Sequence, residues 1–353
     1  MSSLKIAVAG DRFMLAEVFR EEIERALPNG GSSIRTLDLA WPDEPMHHGY
    51  AEGTGHPDTE GLREFFGDPD AVAGFVDDAE VFVTHLAPVS AAMAARLPNL
   101  KLVAVSRGGP VNVDAAGLKA AGVRVVNTPA RNAGAVAEFT IGAILAETRL
   151  IRAGHEALRR GEWRGDLYRA DTTGTELSEL TVGVVGYGAI GARVVKLLKA
   201  FGCRLLVADP YVQLSAGDRA DAVEHVSLDA LLERSDVVTL HARVTPETAR
   251  FIDRAAFARM KRGATFVNTA RGPLIDYDAL HDALASGHLR GAMLETFAVE
   301  PAPPDWPLLK LPNVTLTPHI AGASTTTARV AAAMIAEELR RFANGESPLN
   351  PVN

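Results

Sequence analysis

The sequence has one cysteine, no excess of basic residues and no long apolar run, and these shortages exclude several classes of protein. The lone Cys203 cannot form an internal disulfide and is expected to pack as a small hydrophobe. A net charge of −8 argues against a nucleic acid or an anionic membrane as the main partner, because both attract a basic face. No stretch approaches the roughly 18 apolar residues of a membrane span. Since no signal-peptide pattern opens the chain either, we expect a cytoplasmic protein.

A chain of 353 residues, 47% of them hydrophobic, is long enough for two globular domains. Short β-branched runs alternate with longer helical patterns, which is typical of parallel α/β sheets. The pattern therefore predicts two doubly wound parallel sheets. The predicted strands are 4–9, 34–37, 81–84, 102–106, 123–126, 182–185, 205–208, 237–240, 265–268 and 314–317.

The helical patterns lie between these strands and include one unusually long example over 133–160. Residues 41–61, rich in Pro, Gly, His and Asp, are predicted to form an irregular loop. The other predicted helices are 14–27, 190–201, 229–234, 254–262, 277–286 and 325–344.

The glycine pattern Gly186-x-Gly188-x-x-Gly191 follows a predicted buried strand and opens a predicted helix. This is the context in which three glycines form a dinucleotide site: a tight turn, close approach of the pyrophosphate, and close helix–strand packing. The exposed amides at the start of the helix would then bind the phosphates. A strand–helix turn without a ligand is the alternative. Asp209 ends the next strand, where its carboxylate would accept the ribose hydroxyls of NAD and repel the extra phosphate of NADP.

Three isolated polar residues follow later strand ends: Arg271, Glu300 and His319. Reduction of a 2-keto acid requires a hydride at the carbonyl carbon and a proton at its oxygen. Histidine can exchange that proton near neutral pH, and a neighbouring carboxylate can orient the imidazole. An arginine fork can bind the carboxylate and the carbonyl oxygen together. Each residue alone has an ordinary structural explanation. The three together, in a sequence that also contains the glycine pattern of an NAD site, predict hydride-transfer chemistry.

The sequence from about Leu100 to Gly322 resembles the D-isomer-specific 2-hydroxyacid dehydrogenase family. The glycine fingerprint carries part of the resemblance. The other matching segments are 108–114 (GGPVNVD), 127–129 (NTP), 136–138 (VAE), 174–177 (GTEL), 245–248 (TPET), 268–272 (NTARG), 300–301 (EP) and 317–322 (TPHIAG).

The resemblance implies that His319 is the acid/base, Glu300 its partner and Arg271 the substrate anchor. Backbone amides of Gly108 and Gly109 would bind the substrate carboxylate as well. The implied cofactor contacts are Gly186, Tyr187, Gly188, Ala189, Ile190, Gly191, Asp209, His241, Thr248, Thr269, Ala270, Arg271, Glu295 and His319.

The resemblance also implies a discontinuous substrate domain, 1–131 with 320–353, around an NAD-binding domain, 132–319, with the active site in the cleft between the two. A homodimer through the NAD-binding domains is implied, with the 133–160 helix involved. Two positions depart from the family. Glu295 stands where the family usually has Asp, and the family's His-x-Pro-Leu-Thr is here His241-Ala-Arg243-Val-Thr245, which gives Arg243 no role that we can derive.

Several alternatives remain open from the sequence. His47, His48 and His56 match no metal-ligand spacing, so we predict no metal. Formate or phosphite oxidation on the same fold is a rival chemistry, and formate oxidation is disfavoured because formate enzymes carry Gln in place of Glu300. A non-enzymatic NAD(H)-sensing corepressor of the same fold would retain the catalytic residues. Only measured turnover of a keto acid therefore distinguishes the enzyme from the corepressor. Glyoxylate, hydroxypyruvate, phosphoglycerate and sugar-acid derivatives all remain as substrates. Arg12 and Phe13, after the first strand, are candidates to line the pocket.

Overall fold

The computed structural model describes residues 4–27, 33–41 and 56–353. Residues 42–55 of the loop predicted over 41–61 lie outside this description. The strands of the described residues are β1 Lys5–Asp11, β2 Ser33–Leu39, β3 Val81–Thr84, β4 Leu102–Val105, β5 Arg124–Asn127, β6 Thr181–Val185, β7 Arg204–Ala208, β8 Glu224–His225, β9 Val237–Leu240, β10 Thr265–Asn268, β11 Gly291–Leu294 and β12 Val314–Leu316.

The helices alternate with these strands, as expected for parallel sheets. They are α1 Ala16–Ala26, α2 Pro69–Val76, α3 Ala91–Ala95, α4 Ala115–Ala120, α5 Ala133–Thr148, α6 Ile151–Arg159, α7 Ala189–Lys199, α8 Ala216–Ala220, α9 Leu228–Arg234, α10 Arg254–Arg259, α11 Tyr277–Ala285 and α12 Thr325–Ala343. Within the described ranges, no helix combines the length and the apolar character needed to cross a bilayer.

The chain divides into two compact units, one of residues 1–132 and 323–353 and one of residues 133–322. We call them unit 1 and unit 2. The described strands of unit 1 form a parallel sheet in the order β2-β1-β3-β4-β5. This is the flavodoxin-like order, whose direction reverses between the first and third strands. One face of the sheet packs against α1 and α12 through residues such as Phe19, Ile23 and Ile335, and other helices cover the opposite face.

Unit 2 contains a parallel sheet in the order β12-β11-β10-β9-β6-β7-β8. Counted from β6, this is the Rossmann order with one further strand, and the direction reverses between β6 and β9. The central strands are almost fully buried, for example at Val184 and Phe266, because helices cover both faces, whereas the edge strand β8 is exposed. The two parallel sheets confirm the fold class predicted from the sequence.

The single helix predicted over 133–160 is wrong, because the chain forms two helices, α5 and α6, at this place. Leu150 adopts a left-handed backbone conformation, φ +58°, which ends the first helix. A Cβ on Gly174 would lie 2.4 Å from the carbonyl oxygen of Thr148, so a glycine lets that segment cross the end of α5. Hydrophobic periodicity continues through this break and therefore does not reveal it.

Candidate functional site

The three fingerprint glycines of unit 2 have three different environments. Gly186 has φ +93°, and a Cβ there would lie 2.7–2.8 Å from the backbone of His241 and Ala242. A Cβ on Gly191 would lie 2.0 Å from the carbonyl oxygen of Gly186, so this glycine lets α7 pack against β6. A Cβ on Gly188 would meet nothing within 4 Å. The loop is therefore closed by backbone on two sides and open at its middle glycine, as approach of a pyrophosphate requires.

The start of α7 also suits an anion. Its N-cap is Gly188, which supplies no side-chain cap, and no acidic residue stands in its first turn. In unit 2 the backbone amides of Ala189, Ile190 and Gly191 therefore point out of the helix toward the open side of the loop. The residues present fit the pyrophosphate of a dinucleotide.

The carboxylate of Asp209, directly after β7, stabilises the fingerprint loop. Its Oδ2 accepts a hydrogen bond from the amide of Tyr187 at 2.7 Å. Its Oδ1 accepts from the amides of Tyr211 at 2.8 Å and Val212 at 2.9 Å. The tyrosine ring at 187 is buried, and its hydroxyl contacts Asp218. Asp209 thus lies at the end of the strand next to the glycine loop, where the sequence predicts the contact with the ribose.

His241 follows β9, on the other side of the point where the strand order reverses. Its Nε2 is 3.1 Å from the Thr239 hydroxyl, while its Nδ1 is buried without a partner among the described residues. Burial lowers the pKa of His241 to about 3, so the ring is neutral near pH 7. An orphaned polar atom beside the glycine loop is a second feature that suits a polar ligand here.

Thr248, Thr269 and Ala270, which the resemblance assigns to the cofactor, also hold their own loops together. The Thr248 hydroxyl donates to the carbonyl oxygen of Arg243 at 2.6 Å and closes the turn that carries this exposed arginine. The Thr269 hydroxyl is 2.8 Å from Thr140 in α5. The amide of Ala270 donates to the side chain of Asn268 at 3.0 Å. These contacts fix the backbone at the ends of β9 and β10.

Arg271 follows β10 in a turn that two residues hold in place. The Asn268 side chain donates to the carbonyl oxygen of Arg271 at 3.1 Å. A Cβ on Gly272 would lie 2.0 Å from the backbone of Phe297, so the turn packs directly on the loop that leads to Glu300. The arginine side chain is exposed, and its Nη1 donates to the carbonyl oxygen of Ala270. The sequence predicts that Gly272 lets the chain turn, but it does not reveal the role of Asn268 or the close packing of Gly272 on Phe297, although both residues lie within the matched NTARG segment.

Glu300 and His319 form a close pair in unit 2. Glu300 Oε2 lies 2.8 Å from His319 Nδ1, and Glu300 Oε1 accepts the amide of Phe297 at 2.7 Å. The carboxylate side chain is 10% exposed and the imidazole 22% exposed. Each carboxylate oxygen thus has a donor, and the imidazole is oriented by its Nδ1. The ring of Tyr277 lies nearby, and burial together with the charge of Glu300 raises the pKa of its hydroxyl, which donates to the Thr296 carbonyl oxygen.

Glu295 stabilises the loop that presents His319. Its carboxylate is buried and accepts hydrogen bonds from the Thr317 hydroxyl and the Ala321 amide, and its carbonyl oxygen accepts the amide of His319 at 3.0 Å. Burial raises the pKa of Glu295. His319 itself has φ +54°, a left-handed conformation that these bonds maintain. The glutamate side chain, one methylene longer than the aspartate that the family usually has at this position, thus reaches the 317–321 loop.

The three catalytic candidates follow three neighbouring strands of one sheet. Arg271 follows β10, Glu300 follows β11 and His319 follows β12. The carboxyl ends of parallel strands share one edge, so the geometry places these groups along the same edge as the glycine loop after β6.

Gly108 and Gly109 follow β4 in unit 1 and are exposed. The Asn127 side chain donates to the carbonyl oxygen of Gly108 at 3.0 Å. Among the described residues the amides of both glycines have no acceptor, so they are available to an anion. Elsewhere in unit 1, His56, Asp58 and Asp70 lie close together, but Arg96 contacts both carboxylates. We assign no metal to that group, and His47 and His48 lie outside the described residues.

The environments of Gly188 and Gly191 predict different effects for the same substitution. Gly191→Ala forces a methyl group against the Gly186 carbonyl oxygen and is expected to lower the free energy of unfolding by about 1–3 kcal/mol. Gly188→Ala, with open space around it, should unfold like the wild type. It should nevertheless weaken NADH binding about tenfold or more, because the methyl group occupies the approach to the pyrophosphate. Urea unfolding and fluorescence titration with NADH measure the two effects. Equal NADH affinity in Gly188→Ala and wild type would contradict the assignment.

Comparison with known proteins agrees with this geometry. Residues 141–321 match the family model described as D-isomer specific 2-hydroxyacid dehydrogenase, NAD binding domain. A D-3-phosphoglycerate dehydrogenase of Mycobacterium tuberculosis is 41% identical over 288 residues, 81% of this chain and 53% of that protein. A glyoxylate reductase of Korarchaeum cryptofilum is 39% identical over 279 residues, 79% of this chain and 84% of that protein.

The fold is also similar to the solved structure of a D-2-hydroxyisocaproate dehydrogenase, with a TM-score of 0.79, 26% identity and 99% of both chains covered. The chain spans about half the length of the mycobacterial relatives that it matches. From the matched segment, its glycine loop and the relatives of comparable length, it follows that this chain belongs to the D-isomer specific 2-hydroxyacid dehydrogenase family and that unit 2 contains its NAD-binding domain.

Proposed function

We propose that the protein is an NAD-dependent D-2-hydroxyacid dehydrogenase that interconverts a small 2-hydroxy acid and its 2-keto acid. The observation that carries the proposal is the His319–Glu300 pair, 2.8 Å apart, on the sheet edge that also presents Arg271 and the glycine loop. Unit 2 is the NAD-binding domain in this proposal. Unit 1 is the substrate domain, with boundaries close to 1–131 and 320–353.

His319 exchanges the proton in the proposed reaction. When bound, NAD supplies or accepts the hydride at its nicotinamide. Because Nδ1 of His319 is hydrogen-bonded to Glu300, Nε2 carries the proton that moves to or from the substrate oxygen. Glu300 orients the ring and stabilises the imidazolium when the proton has been taken up. Glu300 itself is held by the Phe297 amide, so its position does not depend on the substrate.

Arg271 anchors the substrate in this proposal. Its guanidinium offers a planar set of donors that matches a carboxylate and the adjacent carbonyl oxygen. The exposed amides of Gly108 and Gly109 supply further donors to the same carboxylate. This set of donors orients the reacting carbon of the substrate. It makes no contact that depends on the group attached at C3 of the substrate, so it does not by itself select one 2-hydroxy acid.

Residues of unit 2 hold the dinucleotide. The amides of Ala189, Ile190 and Gly191 bind the pyrophosphate, Asp209 accepts the ribose hydroxyls, and the neighbouring contacts come from His241, Thr248, Thr269, Ala270 and Glu295. A carboxylate at 209 repels the 2′-phosphate of NADP, so we expect a preference for NAD.

We also propose a homodimer through unit 2. Four large apolar side chains of α6 and the segment after it are exposed: Ile151 and Leu158 in the helix, and Trp163 at 86% and Tyr168 at 94% after it. Several large exposed apolar side chains in one segment favour an interface. The partner in this proposal is a second copy of the chain.

The proposal is tested by NADH consumption with a panel of 2-keto acids, run in parallel with NADPH. We expect turnover of at least one keto acid, with kcat/KM for NADH higher by about tenfold or more than for NADPH. A protein that binds NADH and turns over none of the panel would instead act as an NAD(H) sensor. A clear preference for NADPH would show that the role assigned to Asp209 is wrong.

A further inference from the structure

Unit 1 contains a buried polar network that the proposed mechanism does not use. Asp11 ends β1 and His85 follows β3, and their side chains meet with His85 Nδ1 2.5 Å from Asp11 Oδ2. His85 Nε2 lies 3.3 Å from Nη2 of Arg131, which follows β5. Both Asp11 and His85 are almost fully buried. Three residues far apart in the sequence thus form one chain of contacts, Asp11–His85–Arg131.

The protonation of this network follows from its surroundings. Burial alone would raise the pKa of Asp11, but hydrogen bonds from His85 and from the amides of Phe13 and Met14 outweigh it and lower the pKa. Burial lowers the pKa of His85 more than the Asp11 carboxylate raises it, so the ring is neutral near pH 7. A neutral ring that donates from Nδ1 to Asp11 must accept at Nε2. His85 therefore accepts a hydrogen bond from Arg131.

Arg131 remains a cation with unsatisfied donors. Burial, followed by the nearby Arg107 charge, lowers the pKa of Arg131 to about 10, so the guanidinium is charged near pH 7. Its Nη1 is buried and has no partner among the described residues. Arg107, in contrast, is paired with Glu64. A buried guanidinium with an unsatisfied donor, held by a neutral histidine rather than a carboxylate, is costly unless a ligand completes its contacts.

The network lies where a sheet of this topology binds ligands. In the order β2-β1-β3-β4-β5 the direction reverses between β1 and β3, and the crevice outside the carboxyl ends of these strands is the expected ligand position. Asp11 and His85 are at those two strand ends. The Thr128 hydroxyl, after β5, is a second buried polar group without a partner in the described part of unit 1. The ring of Phe13 packs edge-on against His85, with centroids 5.8 Å apart.

We propose that Arg131 binds a second anionic group of the substrate, a carboxylate or a phosphate, and that Asp11 and His85 position it for this contact. The proposal rests on the proposed function, which already assigns the carboxylate next to the reacting carbon to Arg271 and to the Gly108 and Gly109 amides. The fork of a guanidinium matches both kinds of anion. The substrates selected are then 2-keto acids with a second negative charge.

Arg131→Gln tests the proposal with keto acids that differ in that charge. Glyoxylate and pyruvate carry one carboxylate, oxaloacetate carries a second carboxylate and 3-phosphohydroxypyruvate carries a phosphate. We expect wild-type kcat/KM to favour one of the two keto acids that carry a second anionic group. We expect Arg131→Gln to lower kcat/KM for that keto acid about 10- to 100-fold more than for glyoxylate. The keto acid that is affected identifies the anionic group.

Arg124→Gln is the matched control, because Arg124 begins the same strand, β5, at its opposite end and packs over Phe342. Arg124→Gln removes the same charge, and it should not lower kcat/KM for one keto acid more than for another. Arg131→Lys keeps the charge without the fork and replaces Arg131→Gln if that variant unfolds. It should show a smaller selective loss. An equal loss for all four keto acids, or no loss, would overturn the proposal while leaving the dehydrogenase function intact.

Calorimetric titration of the full chain with malonate and inorganic phosphate separates the two proposals. If Arg131→Gln weakens the binding of either anion and Arg124→Gln does not, the anion site is supported. If the same protein reduces no keto acid, the proposed function is contradicted while the anion site stands. Equal anion binding by the wild type and Arg131→Gln would contradict the anion site.

Discussion

His319→Asn is expected to lower kcat about 10²- to 10⁴-fold, the usual contribution of a general acid–base group. Asparagine is chosen because residue 319 has φ +54°, and asparagine tolerates this left-handed conformation better than most residues. Its amide can also still donate to Glu300. The loop and its hydrogen bonds should therefore remain, while the proton transfer is lost. Single-turnover oxidation of NADH with the best keto acid measures the chemical step directly.

The control for this variant is His288→Asn, which makes the same change elsewhere in unit 2. His288 precedes β11, at the opposite end of the strand from Glu295 and Glu300, and its Nε2 is bonded to the carbonyl oxygen of Phe257 at 3.0 Å. The His288→Asn variant should leave kcat unchanged. His319→Asn should lose much less NADH affinity than kcat, because the proton transfer is lost entirely whereas His319 is only one of many implied cofactor contacts. A kcat close to that of the wild type would remove His319 from the mechanism and with it the main support for the dehydrogenase proposal.

The parts of the site that the sequence predicted are those whose chemistry is local. Gly186, Gly188 and Gly191 lie within six residues, and their spacing alone indicates a strand–turn–helix with three distinct packing requirements. The position of Arg271 after a strand was predictable for the same reason. Segment boundaries were less certain, because backbone conformation at one residue decides them. Leu150 ends α5 within a continuous apolar pattern, and its side chain gives no sign of the left-handed conformation.

Strand β11 shows a second limit. Gly291-Ala-Met-Leu294 contains no β-branched or aromatic residue, so its sequence does not indicate a strand. It forms one because it lies between β10 and β12, with helices covering the sheet, and burial outweighs local propensity. The position of Glu295 and Glu300 beside His319 depends on this strand, so the strand pattern alone does not place the two carboxylates. The expected contact of Glu300 with His319 follows instead from the chemistry of the side chains and from the family resemblance.

The Asp11–His85–Arg131 network shows the third limit. Asp11 and His85 are 74 residues apart, and His85 and Arg131 are 46 residues apart. Each follows a strand, as many polar residues do, and no spacing rule connects them. Only the strand order of the folded sheet, in which β3 pairs with both β1 and β4, brings them together. The choice of substrate that we assign to Arg131 is therefore encoded in contacts that the sequence pattern does not reveal.

Arg271→Gln is expected to lower kcat/KM about 10²-fold or more for every keto acid that the wild type reduces. The loss should not depend on a second charge in the substrate, because the proposed partner is the carboxylate beside the reacting carbon, which all of them share. Arg271→Lys should recover only part of the activity, since lysine offers a point charge and not the paired donors of a guanidinium. Arg250→Gln is the control, as Arg250 is exposed and paired with Asp276 in the same unit.

The division of the Arg271 effect between KM and kcat distinguishes two roles. If the guanidinium binds only the carboxylate, the contact is the same in the ground state and the transition state, and KM should rise while kcat is retained. If it also binds the carbonyl oxygen, where negative charge develops during hydride transfer, kcat should fall as well. A loss confined to substrates with a second anionic group would assign to Arg271 the role that we give to Arg131. Measured on the same panel, the two arginine variants therefore test each other's assignment, because only Arg271 should be required for glyoxylate.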